Sequence, residues 1–220
     1  LGISSREKIE QSIRVIYQRL YKKFGSQHWW PAQTKFEVMV GAILTQNTNW
    51  GNVEKAIQNL KHNKQLSVEA LRKLSVSELV SLIKPAGYFN VKAKRLKNFI
   101  EFLQREYKGD ILKMRKEPLG LLRDKLLSVN GIGPETADSI LLYALDKPIF
   151  VVDAYTKRFL YRHNLIPQNA SYEAVQSIFM SCLKGDIQLF NEYHALIVRL
   201  GKEFCRTKAL CEHCPLNDIK

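Results

Sequence analysis

The chain has 220 residues, 45% of them apolar, enough for one large domain or two modest ones with real cores. No apolar run reaches the roughly 18–20 residues that a bilayer crossing takes, and no cleavable signal pattern opens the chain, so no membrane partner is expected. Lysine and arginine number 34 against 21 aspartate and glutamate. The net charge of +13 favours a polyanion, because each neutralised phosphate releases a condensed counterion.

The first predicted element is a helix in which Ile9, Ile13, Ile16, Tyr17, Leu20 and Phe24 form one apolar face. His28-Trp29-Trp30-Pro31 follows, and all three tryptophans of the chain fall between positions 29 and 50. Two adjacent indoles and a proline cannot all face one helix core, so at least one ring is expected to line a cavity or the surface. Plain structural tryptophans are the competing account. Phe36 to Leu44 is apolar nearly all round, the pattern of a helix buried at the centre of a domain. Gln46, just past its end, reads locally as a cap or a backbone partner. Leu96, Phe99, Ile100, Leu103 and Tyr107 repeat the amphipathic pattern, as do Tyr172, Val175, Ile178, Phe179 and Leu183. Pro31, Pro85-Ala86-Gly87, Lys108-Gly109-Asp110, Gly131 to Pro134, Pro148 and Pro167 divide the periodic runs into about ten short helices. Strand alternation is absent over any useful length, and the predicted fold class is all-α.

The most informative stretch is Leu126-Leu127-Ser128-Val129-Asn130-Gly131-Ile132-Gly133-Pro134-Glu135-Thr136-Ala137. An apolar helix end runs into a Gly-Ile-Gly turn, and Pro134 opens a new helix at the position where its missing N–H had no partner. Gly131 and Gly133 can take positive φ and let an anion approach the backbone, with unpaired amides of the second helix pointing at it. Alone, such a turn is usually an ordinary tight corner. Further on comes Val151-Val152-Asp153-Ala154-Tyr155-Thr156-Lys157-Arg158-Phe159, where an aspartate before a helix would ordinarily be an N-cap. Cys182 sits alone between apolar residues and is expected to be a core thiol. Cys205, Cys211 and Cys214 crowd the C-terminus, which argues for a metal or cluster site in a reducing cytoplasm and against a disulfide framework.

Taken together, the hairpin, the helix after it and the apolar pair leading into Asp153 resemble the signature of the helix-hairpin-helix DNA glycosylases, the endonuclease III superfamily. Gly41-Ala42-Ile43-Leu44-Thr45-Gln46-Asn47-Thr48, Ile83 to Lys94, and His194-Ala195-Leu196-Ile197 running to Gly201 and Cys205 look like the same family, in order, over residues 28–215. The resemblance implies two helical lobes. One is a six-helix bundle over 27–147 that carries the hairpin; the other joins 1–26 to 148–220. Double-stranded DNA containing a damaged base is expected in the cleft between them, with Asp153 at its mouth.

The resemblance also implies the chemistry. Asp153 matches the catalytic carboxylate, which stabilises an oxocarbenium-like sugar and helps activate water. Gly131, Ile132, Gly133 and Lys157 are implied DNA contacts, and Gln46 matches the residue that fills the stack vacated by the flipped base. Members that also cleave the strand carry a lysine two positions after the second hairpin glycine, to form a Schiff base. Here that position is Glu135, so a monofunctional enzyme is expected. A Trp-Trp-Pro motif ahead of a Leu-Thr-Gln-Asn-Thr helix looks like the 3-methyladenine glycosylases of the endonuclease III type, which also carry Glu and Tyr at the positions of Glu135 and Tyr155. Trp29, Trp30, Pro31, Trp50 and Glu135 are then the implied base pocket, whose aromatic faces suit a cationic N-alkylated purine.

Cys205-x5-Cys211-x2-Cys214 resembles the family's iron–sulfur loop, with a first gap one residue short and Lys220 where the fourth cysteine usually stands. A [4Fe–4S] cluster takes four thiolates; zinc with His213, or no metal, are the alternatives. A monomer in the cytoplasm of a bacterium or archaeon, associated with the nucleoid, is the expected setting. Two other functions compete. One is a bifunctional glycosylase and abasic-site lyase for oxidised pyrimidines, against which Glu135 argues. The other is a non-catalytic DNA-binding module, which leaves Asp153 and the tryptophans without a task.

Overall fold

The computed structural model describes residues 5–219, which form twelve α-helices and no strand, as the absence of alternation foretold. None of these helices is long and apolar enough to cross a membrane. The chain divides into two compact units, Trp30–Lys147 and the segments on either side of it.

Within Trp30–Lys147 lie α2 (Lys35–Leu44), α3 (Trp50–His62), α4 (Val68–Lys73), α5 (Val76–Ile83), α6 (Phe89–Tyr107), α7 (Ile111–Lys116), α8 (Leu119–Leu127) and α9 (Pro134–Ser139). Every residue from Phe36 to Leu44 is buried, which accounts for the all-round apolarity of α2. Its flanks pack against α3, α6 and α9. Local chemistry sets where the helices begin. Thr34, Asn49, Ser67 and Asp110 each accept a hydrogen bond from a backbone N–H of the first turn, and Ser75 with Glu78 completes a capping box. Such caps are typically worth about 1 kcal/mol each.

The long α6 ties three loops to this unit through polar side chains. Lys92 is 1% exposed and its Nζ donates to the Ala86 carbonyl at 2.7 Å. Burial, with Arg95 adding repulsion, brings its pKa down to about 8. The Lys97 ammonium donates to the carbonyls of Leu71, Arg72 and Leu74 and so closes α4. Asn98 Nδ2 donates to the Asn130 carbonyl at 3.0 Å, in the loop between α8 and α9. Those two helices are themselves joined by a forked ion pair: Arg123 Nε to Asp138 Oδ1 at 2.8 Å and Nη2 to Oδ2 at 3.1 Å. The Asp138 side chain is wholly buried. After Ser139 the backbone widens into a buried π-helical turn, Ile140–Ala144, which packs on α2.

The other unit contains α1 (Ser5–Phe24), α10 (Ala154–Arg162), α11 (Tyr172–Cys182) and α12 (Ile187–Glu203). Ile13, Ile16 and Leu20 are fully buried on the predicted face of α1. An aromatic core lies beside them: Phe150 stacks on Phe179 at 3.9 Å, with Phe190 and Tyr193 edge-on. The Tyr193 hydroxyl donates to the Ile13 carbonyl at 2.7 Å, so this buried polar group is satisfied. Cys182 is 1% exposed, the core thiol that its apolar neighbours indicated. α12 meets α10 where the Tyr155 ring occupies the space that a side chain on Gly201 would need.

Candidate active site

Asp153 is the N-cap of α10, and its two oxygens have different surroundings. Oδ1 accepts from the Thr156 N–H at 2.7 Å and from the Thr156 hydroxyl at 2.8 Å. Oδ2 lies 3.5 Å from His194 Nε2, on α12. Both side chains are nearly buried, at 11% and 7% exposure. Burial pushes the Asp153 pKa up, but His194 and the two Thr156 donors outweigh it and hold the carboxyl below its ordinary value. The carboxylate is therefore ionised and oriented, one oxygen fixed in the cap and the other turned to an imidazole. The packing of Tyr155 on Gly201 keeps α10 and α12 in contact, and Arg158 lies over the Tyr155 ring at 5.0 Å.

The predicted hairpin is the α8–α9 connection, and its two glycines differ. Gly131 has φ +95°, where a side chain is strained, and a Cβ there would also overlap the stem of Arg95. Gly133 has φ −94°, which any residue adopts, so the expectation of positive φ holds for the first glycine only. A Cβ on Gly133 would meet nothing within 4 Å: this side of the turn is open. Ile132 is 5% exposed and its N–H donates to the Val129 carbonyl, so it anchors the turn and offers no side chain outward. Gly131→Ala should therefore lower both the unfolding temperature and duplex affinity, while Gly133→Ala stays within about 0.5 kcal/mol of the parent stability. Thermal melts and duplex titration check this, and equal losses at the two positions would show that the turn is not built as described.

Gln46 neither caps its own helix nor hangs free. Its Nε2 donates to the Gly131 carbonyl at 3.0 Å and to the Thr136 hydroxyl at 2.8 Å, and its Oε1 accepts from the Arg95 guanidinium. Glu135 stands exposed on the first turn of α9. Lys157 Nζ donates to the Ala170 carbonyl at 3.0 Å, holding the loop that leads into α11.

Trp30 meets Trp50 edge-on at 5.1 Å and Tyr143 at 5.2 Å, and its indole lies 3.3 Å from where a Cβ on Gly41 would stand. Trp29 belongs to the other unit, with Lys202 Nζ 5.8 Å above its ring. Exposed Pro31 and half-buried Trp50 border a hollow of about 390 Å³ that also takes in Glu37, Glu54 and Lys61. Glu37 is paired with Lys61 at 2.8 Å.

The cysteine tail is held by arginines. Arg158 Nε donates to the Cys205 carbonyl at 2.7 Å, and Arg162 donates to the Cys205 sulfur at 3.4 Å and to the carbonyls of Arg206 and Thr207. Cys205 is buried, Cys211 exposed and Cys214 half-buried. Burial, with Cys205 and Cys211 nearby, raises the Cys214 pKa and keeps it a thiol. Among the described residues no three His, Cys, Asp or Glu side chains converge as metal ligands. As they stand, these residues do not fit the thiolate set of a [4Fe–4S] cluster.

Three residues escaped the sequence reading as site residues. Thr156 was legible in principle, three positions after an N-cap aspartate. His194 opens a stretch that resembles the family, but nothing local names its role or that of Arg95, since their partners lie 41 and 49 positions away.

Residues 40–184 match the family described as HhH-GPD superfamily base excision DNA repair protein. A putative DNA repair glycosylase of Methanocaldococcus jannaschii is 49% identical over 216 residues, covering 97% of this chain and 98% of that protein. Among solved structures, the Helicobacter pylori 3-methyladenine DNA glycosylase bound to 1,N6-ethenoadenine superposes with a TM-score of 0.75 at 27% identity, covering 91% of this chain and 98% of the other. A non-covalent endonuclease III–DNA complex shares the fold, with a TM-score of 0.82 at 21% identity and coverage of 96% and 94%. With two thirds of its length matching the family and 49% identity to a repair glycosylase across nearly the whole chain, this all-α protein belongs to the HhH-GPD superfamily of base excision DNA repair glycosylases.

Proposed function

We propose that this glycosylase is monofunctional and removes a flipped, alkylated purine such as 3-methyladenine from double-stranded DNA. The observation that carries the first half is Glu135, an exposed carboxylate at the hairpin position where strand-cleaving relatives need an amine. The lysines nearest in sequence are engaged elsewhere: Lys125 Nζ with Glu117 Oε1 at 2.6 Å, Lys147 Nζ with the Glu117 carbonyl at 2.7 Å, and Lys157 with Ala170. Water is then the nucleophile. The C1′–N bond breaks as the sugar gains positive charge beside the Asp153 carboxylate, water adds at C1′, and its proton passes to the carboxylate and on to solvent. The alkylated base leaves as a neutral purine, which needs no acid from the protein. No step passes through a metal.

Substrate class rests on the convergence of Trp30 and Trp50 and on the likeness to a 3-methyladenine glycosylase. Electron-rich indoles attract a cationic purine by roughly 0.5–2 kcal/mol more than a neutral one. The deciding experiment is incubation with methylated and with oxidised duplexes, each with and without alkali and with borohydride present. Methylated DNA should be cut only after alkali, with no covalent enzyme–DNA adduct trapped. A trapped adduct, or nicking of oxidised DNA without alkali, would show a lyase and sink the monofunctional assignment.

A further inference from the structure

We propose that Arg95 is a ligand for a DNA backbone phosphate beside the hairpin, and that its engagement there releases Gln46. The inference rests on the reading that the hairpin grips DNA backbone, and adds to it a residue and a coupling. α6 runs past the Gly131 turn so closely that the hydrocarbon stem of Arg95 lies where a side chain on Gly131 would be. That contact fixes the guanidinium at the edge of the turn, on the half-buried face of α6. Of its five N–H donors, one reaches the Gln46 Oε1. Among the described residues no carboxylate forms an ion pair with it, unlike Arg123 or Arg199 in the same chain. The neighbouring Lys94 is exposed, so the local field is positive. A guanidinium with spare donors, held by packing beside an open turn and opposed by no acid, matches a phosphate.

The coupling follows from what Gln46 does. Its amide donates twice, to Gly131 and Thr136, and accepts once, from Arg95. Held at three points against the hairpin, it cannot enter a base stack. The Arg95–Gln46 bond is already charge-assisted on the donor side, but a phosphate brings an ionised acceptor and takes two N–H donors at once, so the guanidinium turns from the neutral Gln46 oxygen to the phosphate. Losing that bond leaves Gln46 on two neutral contacts, both to the hairpin. Backbone engagement and release of the glutamine then become one event, and the side chain is loosened only when duplex is present.

Arg95→Met keeps a hydrocarbon stem on Gly131 and removes the charge; Arg95→Gln serves the same comparison should the methionine variant fail to fold. Binding to undamaged duplex is titrated across a salt series, with a thermal melt of each protein. For the uncharged variant the slope of log K against log salt should be shallower by about 0.9, the loss of one phosphate contact. Arg95→Lys should keep the parent slope, and so should Gln46→Ala. In NMR, the Gln46 side-chain amide, assigned by its disappearance in Gln46→Ala, should shift when duplex is added to the parent protein. In Arg95→Met it should be displaced before any DNA is present. An unchanged slope in a folded Arg95→Met protein, or a Gln46 amide that duplex does not move, overturns the proposal while leaving the hairpin reading intact. A parent protein whose affinity ignores salt would instead overturn the hairpin reading itself.

Discussion

Asp153→Asn should lower the single-turnover excision rate at least 100-fold, on the order of 3 kcal/mol of transition-state stabilisation. Asparagine is as good an N-cap as aspartate, so α10 and the Thr156 contacts survive and the variant should fold and bind duplex as the parent does. Only the charge is lost. The pH dependence has a fixed sign. His194 and Thr156 hold the carboxyl below its ordinary value of 3.8, against burial. The charged form, and the stability and activity it contributes, is therefore present above that value and is lost only as pH falls through the lower folded one. The acid limb of the excision rate should lie below the ordinary aspartate range. Thr156→Val, which removes the hydroxyl donor, should move that limb upward. A normal rate in Asp153→Asn would transfer the catalytic role to another group.

Arg123→Met should destabilise the protein by about 3–5 kcal/mol, because it leaves the wholly buried Asp138 without the guanidinium that holds both its oxygens. The pair joins the two helices of the hairpin, so duplex affinity should fall with stability. Replacing both partners, Arg123→Met with Asp138→Leu, should recover most of the loss, since a buried ion pair gains little over packed hydrocarbon. Chemical denaturation gives both values. A loss under about 1 kcal/mol in the single variant would mean that the pair behaves like an exposed one.

Much of this protein could be read from short stretches. The buried α2 follows from nine consecutive residues without a charged face except Glu37, and α1 from its three-to-four spacing. The hairpin follows from Gly-x-Gly-Pro and the start of α10 from Asp153, because helix ends are set by which nearby side chain satisfies which orphan N–H. All of these depend on groups within a few residues of one another.

Other features needed the fold. Periodicity placed Gln46 at a helix end but could not show that its partners are Gly131, Thr136 and Arg95. Adjacency could not show that Trp30 meets Trp50 edge-on or that Lys202 lies over the Trp29 ring. Cysteine spacing placed three thiols near the C-terminus but could not show that Arg158 and Arg162 donate to Cys205 and to the carbonyls beside it. The sequence determined which residue types were present to make an ionised, oriented carboxylate. Only tertiary structure decided that His194 would be its neighbour, because a hydrogen bond acts over about 3 Å while the chain between the two residues is a matter of helix packing.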